Sequence, residues 1–595
     1  MTIADKRGTD YYTTNDAIDK CPSYSCPAIQ KNSVLPALSL FVICLGGLVL
    51  RLWHIGFELP NIYTGFEQHE VMRAVRLGMG NFDFDRIGKG GYFYLLFVEY
   101  GVFFVILKLM GIVQSAQDFA VYFLRDPSPF WVIGRATTAV VGTVSVALIY
   151  CLGKKLFDWR VGLLAALFLA VNPLHIKYSH YAGVDIPMIL LAIVSLYMMI
   201  VLLETGRVKH YLVAGLLVGL AATSKFSSIL LALSLLLAHG LRLREEGVGR
   251  SGWLDRRIWL AFLAMGGIYI AANPGVIVTF SSFLEMVRGL ISPSQAVEES
   301  DLLVEAARRP NLWLFYLKQM TQALGVPLGI AVAAGFLRSC WKPTHGEKLI
   351  LLFCVTLYIA ISTSQFEEWR DRYALPLLPF GMLLAARVLT EVGKQCARRE
   401  CTARVVLGAL VLLTAVPMGA LGVAQAQDFA RLDVRTLARH WVETHIPLGA
   451  KILLHGDSIV ATKRLVQIQN LPENLLALAK QQQTDASGKA TYLTKKAMAQ
   501  QGPAYDLVAF DFRQAVWEPL DAYRAQGIAY IILHTEVFGG LDTMEEQGLR
   551  AASRGRFYRE LQQGAGVRLL RRFDPEALHV HGPHIEIYQI MNLER

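Results

Sequence analysis

The sequence predicts a polytopic α-helical membrane protein that carries a smaller α/β domain at its C-terminal end. Three observations predict it. The 595 residues are 54% hydrophobic and only 18% charged, against about 25% charged in a soluble chain. Apolar runs long enough to cross a bilayer recur between residues 35 and 424. From about residue 428 the chain turns polar and mixed, with no spanning run. One soluble core stops growing near ~250–300 residues, so an excess with a mean hydropathy of +0.38 needs lipid around it. A cytosolic enzyme, a secreted disulfide scaffold and a disordered chain are excluded. The net charge of +10 reads as basic cytoplasmic loops rather than as a nucleic-acid surface.

Residues 1–34 form a polar tail, too long and too mixed in charge for a signal sequence, so the apolar run 35–53 is read as a retained helix. Further spans are expected near 131–152, 161–175, 186–203, 211–223, 226–241, 258–276, 312–336, 349–363, 374–391 and 404–424. These make about eleven. Lys and Arg gather in the tail and in the loops near 153–160, 204–210, 241–257, 337–348 and 392–404. All of these face the cytoplasm together only if the aromatic-rich run 91–113 lies along, or dips into, the outer face. The first external loop then covers about 54–130, and the transmembrane domain 35–427 is followed by an external domain, 428–595. Within the loop, 66–80 reads as an amphipathic helix with Val71, Ala74, Val75 and Gly78 on one face.

In the C-terminal domain Val434, Leu437, Ala438 and Trp441 space a helix face, and strands are expected at 451–455, 506–510, 530–534, 567–570 and 584–590, which is an α/β layering. The stretch 481–503 reads as a surface excursion. No P-loop, dinucleotide fingerprint or nucleophile elbow is present there. The eight cysteines fit neither a zinc site nor a disulfide framework and are expected as free thiols.

Ionisable groups at the ends of spans are costly unless paired or used. The external ends collect Glu67, His69, Glu70, Asp83, Asp85, Arg86 and Lys89 from the first loop. Later loops add His175, Lys177, His180 and Asp185, then Lys225, then Glu367, Glu368, Arg370, Asp371 and Arg372. Carboxylates facing cations at a membrane surface suit transfer from an anionic, lipid-borne leaving group. Glu99 and Arg135 read as structural partners rather than as catalysts.

Four of these stretches resemble the GT-C membrane glycosyltransferases, near the protein O-mannosyltransferases and the aminoarabinose transferases (glycosyltransferase family 39-like). Gly65-Phe66-Glu67-Gln68-His69-Glu70 stands where the family has an acidic Asp-Glu pair. Lys89-Gly90-Gly91-Tyr92 takes the place of a Lys-Pro-Pro or His-Pro-Pro. Ser179-His180-Tyr181-Ala182-Gly183-Val184-Asp185 resembles the second external loop. Lys225 and the run from Asp371 to Pro379 resemble the later site motifs. The likeness covers about 35–425.

The resemblance implies an inverting transfer of a sugar from a polyprenyl-phosphate donor to a hydroxyl of a protein, glycolipid or polysaccharide acceptor. It implies Glu67, then Glu70, as catalytic base, with Asp185 orienting the acceptor. Lys89, Lys225 and Arg372 would hold the phosphate, and Tyr92, His180 and Tyr181 would line the sugar or acceptor. No cofactor is required; a divalent ion between Glu67 and Asp185 stays open. The departure at Phe66-Glu67 leaves a degenerate scaffold as an alternative, and a carrier for an anionic or lipid-linked solute is the rival from another class. The expected location is a bacterial inner membrane, with site and C-terminal domain facing outward.

Overall fold

A computed structural model describes residues 34–63, 65–78, 91–249, 252, 255–281, 284, 311–363, 370–395, 400–455, 466–481, 489–499, 502–510, 518–534, 556–562 and 566–591. The first part of the chain is helical: α1 Val34–Leu52, α2 Gly65–Gly78, α3 Tyr92–Leu109, α4 Ala116–Arg125, α5 Ser128–Leu156, α6 Trp159–Val171, α7 Pro173–Ser179, α8 Asp185–Thr205, α9 Val208–Ser224, α10 Leu231–Glu245, α11 Arg256–Ala272, α12 Leu312–Trp341, α13 His345–Thr363, α14 Leu378–Gln395 and α15 Glu400–Asp428.

Among the described residues nine helices are long and apolar enough to cross a membrane. The pair α6 and α7, bent by 61° at Asn172, adds a tenth. Two apolar helices of 17 residues, α9 and α11, complete the bundle. The chain is an integral membrane protein.

Small residues set the tightest packing. Gly215 and Gly219, four apart on α9, meet the backbone of α11 at Ala261 and Met265 so closely that a Cβ at either would overlap it. The bend between α6 and α7 is pinned in the same way to a break in α12, where Gly325 has φ 69° and Pro327 follows. Asn172 caps α7 through its side-chain oxygen on the His175 amide, and its Nδ2 donates to the Ala323 carbonyl at 2.8 Å. One side chain thus satisfies backbone at both interruptions.

The two ends of the bundle differ. Because α8 and α9 form a hairpin, Asp185 and Lys225 share one end and Thr205 lies at the other. The Thr205 end is held by two ion pairs between chain turns, Lys155–Glu204 at 2.6 Å and Lys394–Asp158 at 3.0 Å, and by one within the turn between α10 and α11, Arg257–Glu246 at 2.8 Å. These are the basic loops singled out in the sequence.

The C-terminal domain opens with α16 Val434–His445 and contains β1 Lys451–His455, β2 Gln469–Asn470, α17 Pro472–Gln481, α18 Lys489–Ala499, β3 Ala504–Phe510, α19 Leu520–Ala525, β4 Tyr530–His534, β5 Val567–Phe573 and β6 Ile585–Ile590. Its sheet runs β2-β3-β1-β4-β6-β5, parallel from β2 to β4 and antiparallel thereafter. All five expected strands are present. The two-residue β2 is too short to leave a pattern in sequence. The α/β reading holds, and α18, inside the expected excursion, packs back on α4 of the first loop.

Candidate active site

The site builds up from the Asp185–Lys225 end. Asp185 opens α8, where the helix dipole favours a carboxylate. Lys225 stands at the end of α9 in an extended conformation, before a short 3-10 turn, so its side chain leaves the helix end rather than its flank. Its Nζ donates to Asp185 Oδ1 at 2.6 Å and lies 4.7 Å from the ring centre of Tyr373. Arg372, in the neighbouring turn, lies 5.7 Å from that same ring. Two of the expected phosphate ligands and the expected catalytic Asp185 therefore converge from three elements distant in sequence.

Four residues without an expected role complete this cluster. Lys177 and Tyr178, on α7, both bond Asp371, Lys177 Nζ at 2.8 Å through Oδ2 and the Tyr178 hydroxyl through Oδ1. Tyr373 is the ring shared by the two cations. Lys177 and Asp371 were visible as charges at span ends, but their pairing across 194 residues is a tertiary fact.

A second cluster forms around α2. The Glu67 carboxylate accepts from Arg135 Nε at 2.9 Å and Nη2 at 3.0 Å, and from the Ala182 amide at 3.1 Å. Arg135 also donates to the carbonyls of Ile55 and Phe57 and lies over the Phe57 ring at 3.7 Å. Both partners are fully buried. Arg135 is indeed structural, but its partner is Glu67; Glu99 instead accepts from the Thr137 hydroxyl at 2.8 Å. The helix α2 buries Glu67, Glu70 and Arg73 together with Val71 and Ala74. Glu67 shares one buried face with Val71 and Ala74, four and seven residues on, and Glu70 and Arg73 border it.

The residues expected at the acceptor sit inward. Tyr92 is buried, with its hydroxyl on the Gly134 carbonyl at 2.8 Å and on Thr138 Oγ1 at 2.6 Å. His180 stacks on Phe429, 4.0 Å between ring centres, and its two ring nitrogens face the carbonyls of Ile176 and Trp53. Burial lowers its pKa to about 4, against the opposing pull of those two hydrogen bonds. Tyr181 contacts Phe57 and Phe429 edge-on.

The two clusters approach each other at the start of α3. A Cβ on Gly91 would come within 2.8 Å of Thr223 Oγ1 and 3.4 Å of Ser224 Oγ. The chain thus enters α3 against the residues just before Lys225, and only glycine fits. Lys89, Glu367 and Glu368 lie outside the described residues. The divalent ion left open between Glu67 and Asp185 does not fit these residues. Each carboxylate is already bound to a cation, and among the described residues no three His, Cys, Asp or Glu are grouped as metal ligands.

Residues 129–272, from the start of α5 to the end of α11, match the family of dolichyl-phosphate-mannose-protein mannosyltransferases. The chain is similar to the GT-C membrane glycosyltransferases. The matched stretch contains Arg135, Lys177, Asp185 and Lys225 and leaves out Glu67 and Arg372. Among solved structures, the apo oligosaccharyltransferase of Archaeoglobus fulgidus is 12% identical, with 91% of this chain and 80% of that one aligned at a TM-score of 0.49. ArnT from Cupriavidus metallidurans, bound to undecaprenyl phosphate, is 12% identical over 93% of this chain and 98% of that one, with a TM-score of 0.48. The mycobacterial arabinofuranosyltransferase AftD is 17% identical, covering 93% of this chain and 42% of that one at 0.39. No curated protein sequence matches the chain.

Proposed function

We propose that this protein is an inverting glycosyltransferase that takes a sugar from a polyprenyl-phosphate donor and passes it to an acceptor hydroxyl at the outer face of a membrane. The observation that carries the reading is the convergence of Asp185, Lys225, Arg372 and Tyr373 at one end of the bundle. The lipid tail lies against the spans. Lys225 and Arg372, with Lys177 beside them, receive the phosphate, the two lysines in exchange for their present partners Asp185 and Asp371, and Lys89 is the remaining phosphate ligand that the resemblance implies.

Inversion requires the acceptor oxygen to attack the anomeric carbon from the side opposite the phosphate. The carbon–oxygen bond to phosphate breaks, and the phosphate leaves with the electron pair. The acceptor hydroxyl gives its proton to a carboxylate. Asp185 is bonded to a phosphate-holding lysine and so stands on the leaving-group side, where it orients Lys225. Glu67 has both oxygens committed to Arg135, so we assign it to positioning α2. Glu70, one helical turn on, takes the role of base. His180 and Tyr92 shape the wall, and Tyr181 borders the acceptor. The hydrogen bonds from α3 to α5 all fall at residues 130–138 of the 29-residue α5, which supports α3 as a helix at the outer surface and the C-terminal domain as external.

The broken spans α6–α7 and α12 are the feature that favours a carrier, but Asn172 ties the two breaks to each other. A transfer assay separates the readings. Purified protein is incubated with polyprenyl-phosphate sugars and an envelope acceptor fraction. Transfer from one donor, reduced about 10²–10³-fold by Lys225→Ala and at least as far by Glu70→Gln, is expected. Full transfer by Glu70→Gln would overturn the base, and donor-dependent transport with no transfer would overturn the enzyme.

A further inference from the structure

The first long loop and the C-terminal domain meet along a polar seam. Asn61 accepts from Arg439 Nη1 at 2.5 Å, and Tyr63 shares a hydrogen bond of 3.1 Å with Thr436. Gln467 clips the Ile62 backbone twice, donating to its carbonyl at 2.6 Å and accepting from its amide at 3.3 Å. Arg435 lies 4.0 Å over the Tyr63 ring and forms a two-point pair with Asp433, the N-cap of α16. The seam immediately precedes α2, so it sets where Glu67 and Glu70 begin.

Glu58 sits at the edge of this seam in a left-handed conformation, φ 61°, uncommon for a residue with a side chain. Its Oε2 is buried and makes no hydrogen bond among the described residues. The charged groups that face it are Asp433 and Arg435 from α16, Glu67 from α2 and Arg135 from α5. Both arginines are already engaged in two-point pairs with those same carboxylates. Glu58 is thus a third carboxyl beside two satisfied ion pairs. Among the described residues its negative charge finds two like charges and no uncommitted cation.

We propose that the contact between the first long loop and the C-terminal domain is proton-linked, with Glu58 as the group that takes up the proton, so that the domain is held on the loop on the acid side of neutrality and loosened on the alkaline side. Burial first, and then Asp433 and Glu67, push the Glu58 carboxyl up to about 7 from an ordinary 4.5; Arg435 and Arg135 oppose them only in part. Within that window the docked state holds more of the proton than the undocked state, from which Asp433, Arg435 and part of the burial have gone while Glu67 and Arg135 remain. Raising the pH through that window weakens docking by up to roughly tenfold per pH unit, and above about 7 the dependence ends. The inference does not depend on the proposed reaction, since its readout is the contact itself.

Amide hydrogen exchange on the full-length protein in detergent tests it, with rates corrected for the intrinsic effect of pH. Protection of amides in 59–63 and 434–442 is expected to fall at least tenfold in total between pH 5 and 7.5 and then level off. Glu58→Gln keeps the acid-side protection at every pH. Asp433→Asn, which retains a helix-capping side chain, removes one repelling carboxylate and moves the midpoint to lower pH. A flat wild-type profile, a wild-type slope in Glu58→Gln or an unmoved midpoint in Asp433→Asn would each overturn the proposal.

Discussion

Glu67–Arg135 and Lys225–Asp185 are the same chemistry in two surroundings. In the first pair both side chains are 0% exposed, every oxygen of the carboxylate is bonded and the guanidinium is closed off by two carbonyls and a ring. In the second, Lys225 remains 20% exposed and Asp185 6%, and the cation shares its aromatic neighbour with Arg372. A sealed pair fixes geometry; it has no bond left to offer a ligand. A rim pair can exchange one partner for an incoming anion. Between these two pairs, exposure rather than residue type separates the one that fixes the fold from the one that can exchange a partner.

The sharpest way to break this comparison is to open the sealed pair. Arg135→Ala leaves Glu67 buried without its cation and is expected to cost about 3–5 kcal/mol, read as a large drop in thermal midpoint in detergent. Arg135→Lys recovers little, because a point charge does not reproduce the two-point fork and the bonds to Ile55 and Phe57. A variant as stable as the wild type would remove the structural role assigned to the pair. At the rim the expectation reverses. Lys225→Met costs about 1 kcal/mol of stability or less, since Asp185 keeps the favourable end of α8, while transfer falls by the amount given above. Equal stability losses at the two sites would erase the distinction.

A smaller effect sharpens the link between the clusters. Gly91→Ala forces Thr223 and Ser224 to shift by a few tenths of an ångström. The expected cost is about 1–3 kcal/mol if the contact is rigid, with a rise in donor KM as Lys225 moves. Unchanged stability and KM would mean that the start of α3 does not position Lys225.

Much of this was legible before any coordinates. The spans follow from run length and the strands from alternation; position at the ends of apolar runs marks a broad set of charges, and only the family resemblance singles out Asp185, Lys225 and Arg372 among them. Pairing was not legible. Nothing local to Glu67 says that its partner lies 68 residues on, or that the Ala182 amide completes its shell. Glu67 stands four and seven residues before Val71 and Ala74, on the face that packs inward, but the amphipathic pattern does not say what meets its charge there. Tyr92 and His180 meet protein carbonyls for the same reason: residue type predicts a polar atom, while the fold decides what meets it. Glu58 carries no local signal, because its environment is assembled from α2, α5 and the N-terminal end of α16.

The smallest expected effect lies at the opposite end of the bundle. Lys155 and Glu204 are 2.6 Å apart but 31% and 48% exposed, so water solvates both charges and competes with the pair. A double-mutant cycle of Lys155→Ala and Glu204→Ala in detergent should give a coupling of about 0.2–1 kcal/mol, reduced further at high salt, where exposed charges are screened within a few ångströms. A coupling as large as that of Glu67–Arg135, or one insensitive to salt, would mean that this end is sealed as well. Exposure would then no longer tell a fixed ion pair from one that can exchange a partner, at either end of the molecule.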